Sequence, residues 1–270
     1  MNAANHFELT FLGSGSAFYI GSHAGENWQS NVLIRSPAGR RLLIDCGSDI
    51  RFSLREQGLT AGDIDDVFIS HLHADHVGGL EWLAFSTRFS AAGRKPRILA
   101  NQAILKDLWS HSLRGGLGSL EGELATLRTY FDIQSIPDNK GFDWEGIHFR
   151  PVQVVHNVDG FRICPTFGLL FSIGATSIFF TADTQFAPNQ ISRYYQCADL
   201  ILHDCETSSF RSGVHAHYEQ LIELPADVKR KTWLYHYQPG TRPDATADGF
   251  AGWIEKGQRF VFSAQSEAAA

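Results

Sequence analysis

The chain has 270 residues, 43% of them hydrophobic and 19% charged, an ordinary globular balance and enough length for one sizeable domain. A net charge of −6, from 23 basic and 29 acidic residues, excludes any general attraction for polyanions, so binding of a nucleic acid would need a local basic patch. No apolar run is long enough to span a bilayer, residues 1–6 lack the basic start and apolar stretch of a secretory signal, and the four scattered cysteines fit neither a zinc ribbon nor a disulfide framework. We therefore expect a reduced, cytoplasmic protein with no membrane partner. It should form a single domain over 1–270, with loose ends at about 1–6 and 263–270 because the tail is small and polar.

In chain order, Phe7 to Leu12, Asn31 to Arg35 and Arg41 to Ile44 read as three opening strands, the last two joined by a Pro-Ala-Gly-Arg turn. Between the first two lies Gly13-Ser14-Gly15-Ser16. It lacks the third glycine of a dinucleotide fingerprint and the Gly-Lys-Ser/Thr of a phosphate loop, so we read it as a tight turn. The loop from Phe18 to Trp28 is a candidate rim of an active site, with His23 and Trp28 as substrate contacts. Asp49 to Gln57 has helical spacing and stops at Gly58. A buried strand Val67-Phe68-Ile69 leads into His71-Leu72-His73-Ala74-Asp75-His76, and a helix with Leu80, Trp82, Leu83 and Phe85 follows. Further on come a strand at Arg97 to Ala100, a helix at Ala103 to Leu108, and strands at Ile147–Val155, Phe167–Ile173 and Ser177–Phe180. The last third returns to Leu200–His203, a helical stretch His217–Leu224, and a strand Thr232–Tyr235. Periodicity alone gives an α/β or α+β domain.

Four potential metal ligands within six residues set the chemistry. His71 and His73, two apart in extended backbone, face the same side. Neutral imidazoles with one hard carboxylate suit zinc or a similar divalent ion, and a loop at a strand's end holds them rigidly with one side open. Later apolar runs deliver His156, Asp183 and His236 at their ends in the same way, and Asp45-Cys46-Gly47 follows Leu42-Leu43-Ile44.

This His-x-His-x-Asp-His segment, with His156, Asp183, His236 and the Asp-x-Gly turn, resembles the metallo-β-lactamase superfamily over about Phe7 to Phe260. The resemblance implies a four-layer αββα sandwich and two divalent ions, zinc or alternatively manganese, cobalt or iron. It assigns His71, His73 and His156 to one ion and Asp75, His76 and His236 to the other, with Asp183 bridging. An aspartate at 183, where antibiotic-hydrolysing members commonly carry cysteine, resembles the phosphodiesterase and thioester-hydrolase branches. Leu202-His203-Asp204-Cys205-Glu206 and His215-Ala216-His217 resemble the acid and histidine motifs of ribonuclease Z and its relatives. That similarity makes Asp75, Asp204 and His215 catalytic candidates and leaves His217 as a solvated loop residue.

Ribonuclease Z carries its tRNA-gripping arm between the third histidine and the bridging aspartate. Here those residues are 27 positions apart (183 minus 156), which two strands and a turn consume. The chain thus resembles the armless phosphodiesterases, including cyclic-nucleotide phosphodiesterases and phage anti-Pycsar enzymes. The expected activity is hydrolysis of a small cyclic nucleotide by a hydroxide held between two metals, with tRNA argued against as a partner. The rival readings are a tRNA 3′-processing nuclease and a lactonase or thioesterase. Asn157, beside a ligand, is an expected substrate contact. The glycine-rich stretch Trp109 to Gly118 reads either as a helix end followed by a loop, or as a flexible cover over the site or a homodimer contact reaching the neighbouring site, with Arg114 then binding an anion.

Overall fold

Successive side chains of a strand point to opposite faces, so an unbroken apolar strand needs cover on both. In Arg41–Ile44, Leu42 and Ile44 enter one core while Leu43 enters another. The computed structural model, which describes residues 5–19, 26–91 and 93–264, shows what supplies that cover. The strands are β1 (His6–Phe11), β2 (Val32–Arg35), β3 (Arg41–Ile44), β4 (Asp66–Phe68), β5 (Arg97–Asn101), a small hairpin β6 (Ser119–Leu120) and β7 (Glu123–Leu124), and β8 (Asp132–Ile136). They continue as β9 (Phe142–Trp144), β10 (Ile147–Gln153), β11 (Phe167–Ile173), β12 (Thr176–Phe180), β13 (Leu200–Asp204), β14 (Thr232–Tyr235), β15 (Gly252–Trp253) and β16 (Arg259–Ser263).

Two seven-stranded sheets result, ordered β16-β1-β2-β3-β4-β5-β8 and β15-β14-β13-β12-β11-β10-β9. Each is antiparallel on one flank and parallel on the other, the change falling at β3 in the first and at β12 in the second. Between the sheets lies a core that includes Phe11, Ile34, Phe68, Phe149, Phe171 and Tyr235. Outside the first sheet, Leu33, Leu43, Val67 and Ile98 pack against helices at Ile50–Glu56 and Leu80–Arg88. Outside the second, Phe179, Ile201 and Leu234 pack against a helix at Pro188–Cys197. These are the four layers of the αββα sandwich. No helix among the described residues is long and apolar enough to cross a membrane.

Several expectations need correcting. His6 and Ser263, placed in loose ends, pair with each other as β1 joins β16, because the alternating sequence of β16 offers an edge strand. The helix Pro188–Cys197 was not anticipated. Its sequence is polar apart from Ile191, Tyr194 and Tyr195, and those three, at i, i+3 and i+4, are the buried ones. The Gly13 turn needs glycine for close approach rather than for left-handed backbone: a Cβ there would sit 2.3 Å from the Trp28 carbonyl oxygen.

One fully buried charge ties the two sheets together. Asp66 accepts from Arg40 Nη2 and Arg97 Nε, each at 2.7 Å, and from Trp144 Nε1 of the opposite sheet at 2.8 Å. Asp66→Ala removes the acceptor of all three donors. We predict a loss of about 3 kcal/mol in urea unfolding, the low end for breaking a buried pair because both arginines keep water contact. A change below about 0.5 kcal/mol would show that the buried carboxylate is not what joins these layers.

Candidate metal centre

The parallel flanks aim the carboxyl ends of β3, β4, β12, β13 and β14 to one edge, where ligands of open α/β sheets characteristically bind. Just past those ends stand Asp45, His71, Asp183, Asp204 at the last position of β13, and His236; His156 follows β10. Three of the turns are in left-handed backbone at residues other than glycine: Asp45 (φ 64°), Ala182 (φ 52°) and His236 (φ 67°). Each conformation is one that L-residues adopt only when their surroundings enforce it, and all three lie at or beside the cluster.

His71, His73, His156 and Asp183 form one group of potential ligands, and Asp75, His76, Asp183 and His236 a second. Within each group the ligand atoms lie within 4.8 Å of one another. Asp183 is common to both. Its Oδ2 is 3.3 Å from His76 Nε2, 3.4 Å from His236 Nε2, and 3.8 Å from Nε2 of both His71 and His156. The structure therefore brings together all seven residues expected as ligands.

Neighbours fix the rings. Asp45 Oδ2 lies 2.7 Å from His76 Nδ1, while Asp45 also accepts from the Ser70 amide (2.8 Å) and hydroxyl (2.6 Å). Ser70 Oγ is in turn 3.0 Å from His71 Nδ1. His156 Nδ1 donates to the Val214 carbonyl at 2.7 Å, which turns its Nε2 toward the cluster. Such outer contacts set the tautomer and ring plane of a ligating histidine. The Asp45 turn can press against the ligand helix because Gly47 is there: a Cβ would meet the Asp75 carbonyl oxygen at 2.1 Å.

The donor set fits a divalent cation. His71 Nε2, His76 Nε2 and Asp183 Oδ1 are buried and have no hydrogen-bond partner among the described residues, an arrangement that an ion between them would relieve. Burial holds His71 and His156 below the ordinary histidine range, which keeps them neutral and able to ligate. Burial opposes charge on His76 and His236 too, but Asp183 and the other carboxylates outweigh it and raise both well above that range. Burial would also raise Asp183, yet the facing His236 and His76 hold it well below the carboxylate range.

A further pair flanks the two ligand groups. Asp204 Oδ2 lies 2.8 Å from His215 Nδ1 and also accepts from the Thr184 amide at 2.8 Å. Burial disfavours charge on His215, but Asp204 more than offsets it and raises the imidazole above its ordinary range. His217 is not solvated. It is buried, its Nε2 3.0 Å from the Ser208 carbonyl oxygen, and it caps the helix Tyr218–Leu221 by accepting from the Glu219 amide.

Beside the cluster opens a cavity of about 320 Å³, whose lining includes His71, His73, His156 and Asn157 together with Asp107, His111, Arg162 and Cys164. Asn157 Nδ2 is 2.9 Å from His73 Nε2, so this expected contact lies at the cavity. Trp28 does not line it. That ring stacks on Phe52 (centroids 5.6 Å apart) with Lys256 above, because the turn after Gly13 folds it onto the helix Ile50–Glu56. His23 lies outside the described residues. The stretch after Trp109 forms a π-helical turn Leu108–Leu113 and a short helix Arg114–Leu117; Arg114 is exposed and does not line the cavity. Asp107 and His111 from the same segment do, as does Arg162. Sequence reading missed these three; the i, i+4 spacing of Asp107 and His111 could have flagged that pair, and no local pattern flags Arg162.

Fold and site together define a metal-dependent hydrolase of the metallo-β-lactamase fold. Solved structures agree on the fold: YhfI from Bacillus subtilis, a metallo-β-lactamase fold protein, has a TM-score of 0.72 at 17% identity, covering 95% of this chain and 99% of that one. A diphosphatase from the PhnP family has the same TM-score at 19% identity, with 95% and 97% covered. The profile described as Anti-Pycsar protein Apyc1 matches residues 7–260, and the chain belongs to that family. It is 34% identical over 231 residues to the Anti-Pycsar protein Apyc1 of Paenibacillus harenae, covering 85% of this chain and 89% of the relative. The Bacillus phage 010DV004 protein of the same name is 30% identical over 267 residues, with 94% and 98% covered.

Protons and metal compete for this site. In the metal-free protein, pairing of protonated His76 and His236 with carboxylates stabilises the fold fully below the unfolded histidine pKa and is lost as pH rises through their raised folded values. An ion must displace those protons, so its hold tightens as pH rises. We predict that the Tm gap between zinc-loaded and chelator-treated protein widens from pH 6 to pH 8. Zinc at about 100 times its Kd should contribute about 2.7 kcal/mol. A gap that shrinks with rising pH would contradict this site.

Proposed function

We propose that the protein is a binuclear metal-dependent phosphodiesterase that hydrolyses small cyclic nucleotides. The observation that carries this reading is the pair of ligand groups sharing one buried aspartate, with a protonatable histidine at their side and a cavity of about 320 Å³ in front. His71, His73 and His156 would hold one ion, Asp75, His76 and His236 the second, and Asp183 would face both. Zinc suits these imidazoles and carboxylates. When bound, the ions supply Lewis acidity toward a phosphoryl oxygen and lower the pKa of water to near 7.

The chain's own groups do the rest. Asp45, Ser70 and the Val214 carbonyl hold the imidazoles in one orientation, so the site does not reorganise when substrate arrives. Asp204 holds His215 through Nδ1 and favours its protonated form, leaving Nε2 to give a proton to the departing ribose oxygen. A cavity of this size takes a mononucleotide, whereas a folded RNA would need an extended basic track that a net charge of −6 does not favour. Between His156 and Asp183 the chain spends its length on the loop 157–166, β11 and β12, which leaves no arm.

Two variants and one substrate comparison test the reading. Asp183→Ala should lose metal and turnover together; near-normal rate and metal content would overturn the assignment. His215→Ala should lower the rate on cyclic nucleotides by roughly 10²–10⁴-fold and spare bis-p-nitrophenyl phosphate, whose leaving group needs no proton. Asp183, Asp204, His215 and His236 also form an overlapping ligand group, so loss of an ion from His215→Ala would make His215 a ligand instead. Efficient removal of a tRNA 3′ trailer with cyclic nucleotides untouched would restore the nuclease reading, and turnover of lactones or thioesters alone the esterase one.

A further inference from the structure

Behind Asp204, the apolar layer outside the second sheet contains a polar pair. Successive residues of β13 face opposite ways, so Asp204 turns to the ligand groups while His203 turns with Ile201 and Cys205 toward the helix Pro188–Cys197. His203 and Tyr195 of that helix are both buried. The Tyr195 hydroxyl lies 2.7 Å from His203 Nε2, and His203 Nδ1 lies 2.6 Å from the carbonyl oxygen of Asp204. A carbonyl only accepts, so Nδ1 carries the proton, Nε2 is the bare nitrogen of a neutral imidazole, and the tyrosine donates to it. Burial holds His203 below the ordinary histidine range, in agreement with a neutral ring. A hydrophobic side chain at 203 would fill this layer without the desolvation that an imidazole and a hydroxyl cost there, so packing alone does not account for the pair.

We propose that Tyr195 and His203 are positioning residues, which from the outer layer fix the Asp204 backbone and so the direction in which Asp204 aims His215. This inference rests on the reading of His215 as the acid and adds what orients it. The bond from His203 Nδ1 to the next residue's carbonyl closes a ring through the main chain. That ring contains φ and ψ of Asp204, the two soft torsions that decide where its side chain starts. The Asp204 amide is held separately, donating to Thr181 Oγ1 at 3.0 Å. With both ends of the residue fixed, the carboxylate meets the Thr184 amide and His215 Nδ1, each at 2.8 Å. Tyr195 in turn fixes the imidazole's tautomer and ring plane, the service that an outer contact performs for a working histidine.

The test is turnover of a cyclic nucleotide and of bis-p-nitrophenyl phosphate by zinc-loaded variants, with zinc content measured alongside. His203→Leu should lower kcat on the cyclic nucleotide by roughly 10- to 100-fold and leave KM, zinc content and the p-nitrophenyl rate in place. Tyr195→Phe, which removes one hydroxyl and keeps the ring, should lower the same kcat by about 5-fold. Added to His215→Ala, His203→Leu should cost less than about 2-fold more, because it acts through the histidine already removed. Equal losses on both substrates, loss of zinc, or a fully multiplied loss in the double variant would overturn the proposal. So would a Tyr195→Phe rate unchanged on both substrates, even where His203→Leu does not fold. The low-field NMR resonance of the His215 Nδ1 proton, assigned by its absence from His215→Ala, needs no turnover. It should shift in His203→Leu and in Tyr195→Phe, and an unchanged resonance would overturn the positioning role. Absent hydrolysis, or equal losses on both substrates in His215→Ala, counts instead against the acid reading.

Discussion

A carboxylate cut off from water stays ionised only if positive charge or strong donors surround it, and Asp183 imposes that condition on the whole site. Its Oδ2 lies within 3.9 Å of five imidazoles, those of His71, His76, His156, His215 and His236. Burial holds His71 and His156 below the ordinary range, and carboxylates raise His76, His215 and His236 above it. Without cations, the carboxylates favour the protonated forms of His76, His215 and His236. Replacing those protons with divalent ions keeps the charge balanced and frees lone pairs for coordination. The buried aspartate is thus both the reason the site wants metal and the group that joins its two halves.

The fold exists to present that carboxylate. Six strands end at one edge of two facing sheets, and their ends deliver the polar residues of the site, four of them in the segment after β4, beside apolar runs anchored in the core. The cost is concentrated in the turns. Asp45, Ala182 and His236 adopt left-handed backbone, which such residues avoid by roughly 1–3 kcal/mol each unless their surroundings over-determine it. The surroundings here do: Asp45 is held by Ser70 and His76, and the His236 amide donates to the Ser14 carbonyl at 2.7 Å. That last bond also gives the Gly13 turn its purpose, since it reaches across from the first sheet to brace a residue at the end of β14.

The cluster of potential metal ligands was legible in the sequence because its residues are chemically conspicuous and each lies near a strand strong enough to recognise. Asp183 after Ile178-Phe179-Phe180 is the clearest case. The elements missed were those whose burial is weak or one-sided: β16 is an edge strand with alternating exposure, and Pro188–Cys197 buries three side chains on an otherwise polar helix. The rest of the cavity lining was illegible for a different reason. Asp107 and Arg162 come from segments 55 residues apart (162 minus 107), and neither local pattern announces that the fold sets them around one cavity. Trp28 shows the converse, an aromatic that looked like a rim contact and serves as packing for Phe52.

The central claim, that one buried aspartate joins two ions, is tested most directly by a crystal structure of zinc-loaded protein with anomalous data at the zinc edge. The account predicts two peaks per chain, one among His71, His73 and His156 and one among Asp75, His76 and His236, both within coordination distance of Asp183. A single peak, or two peaks of which Asp183 contacts only one, would contradict it.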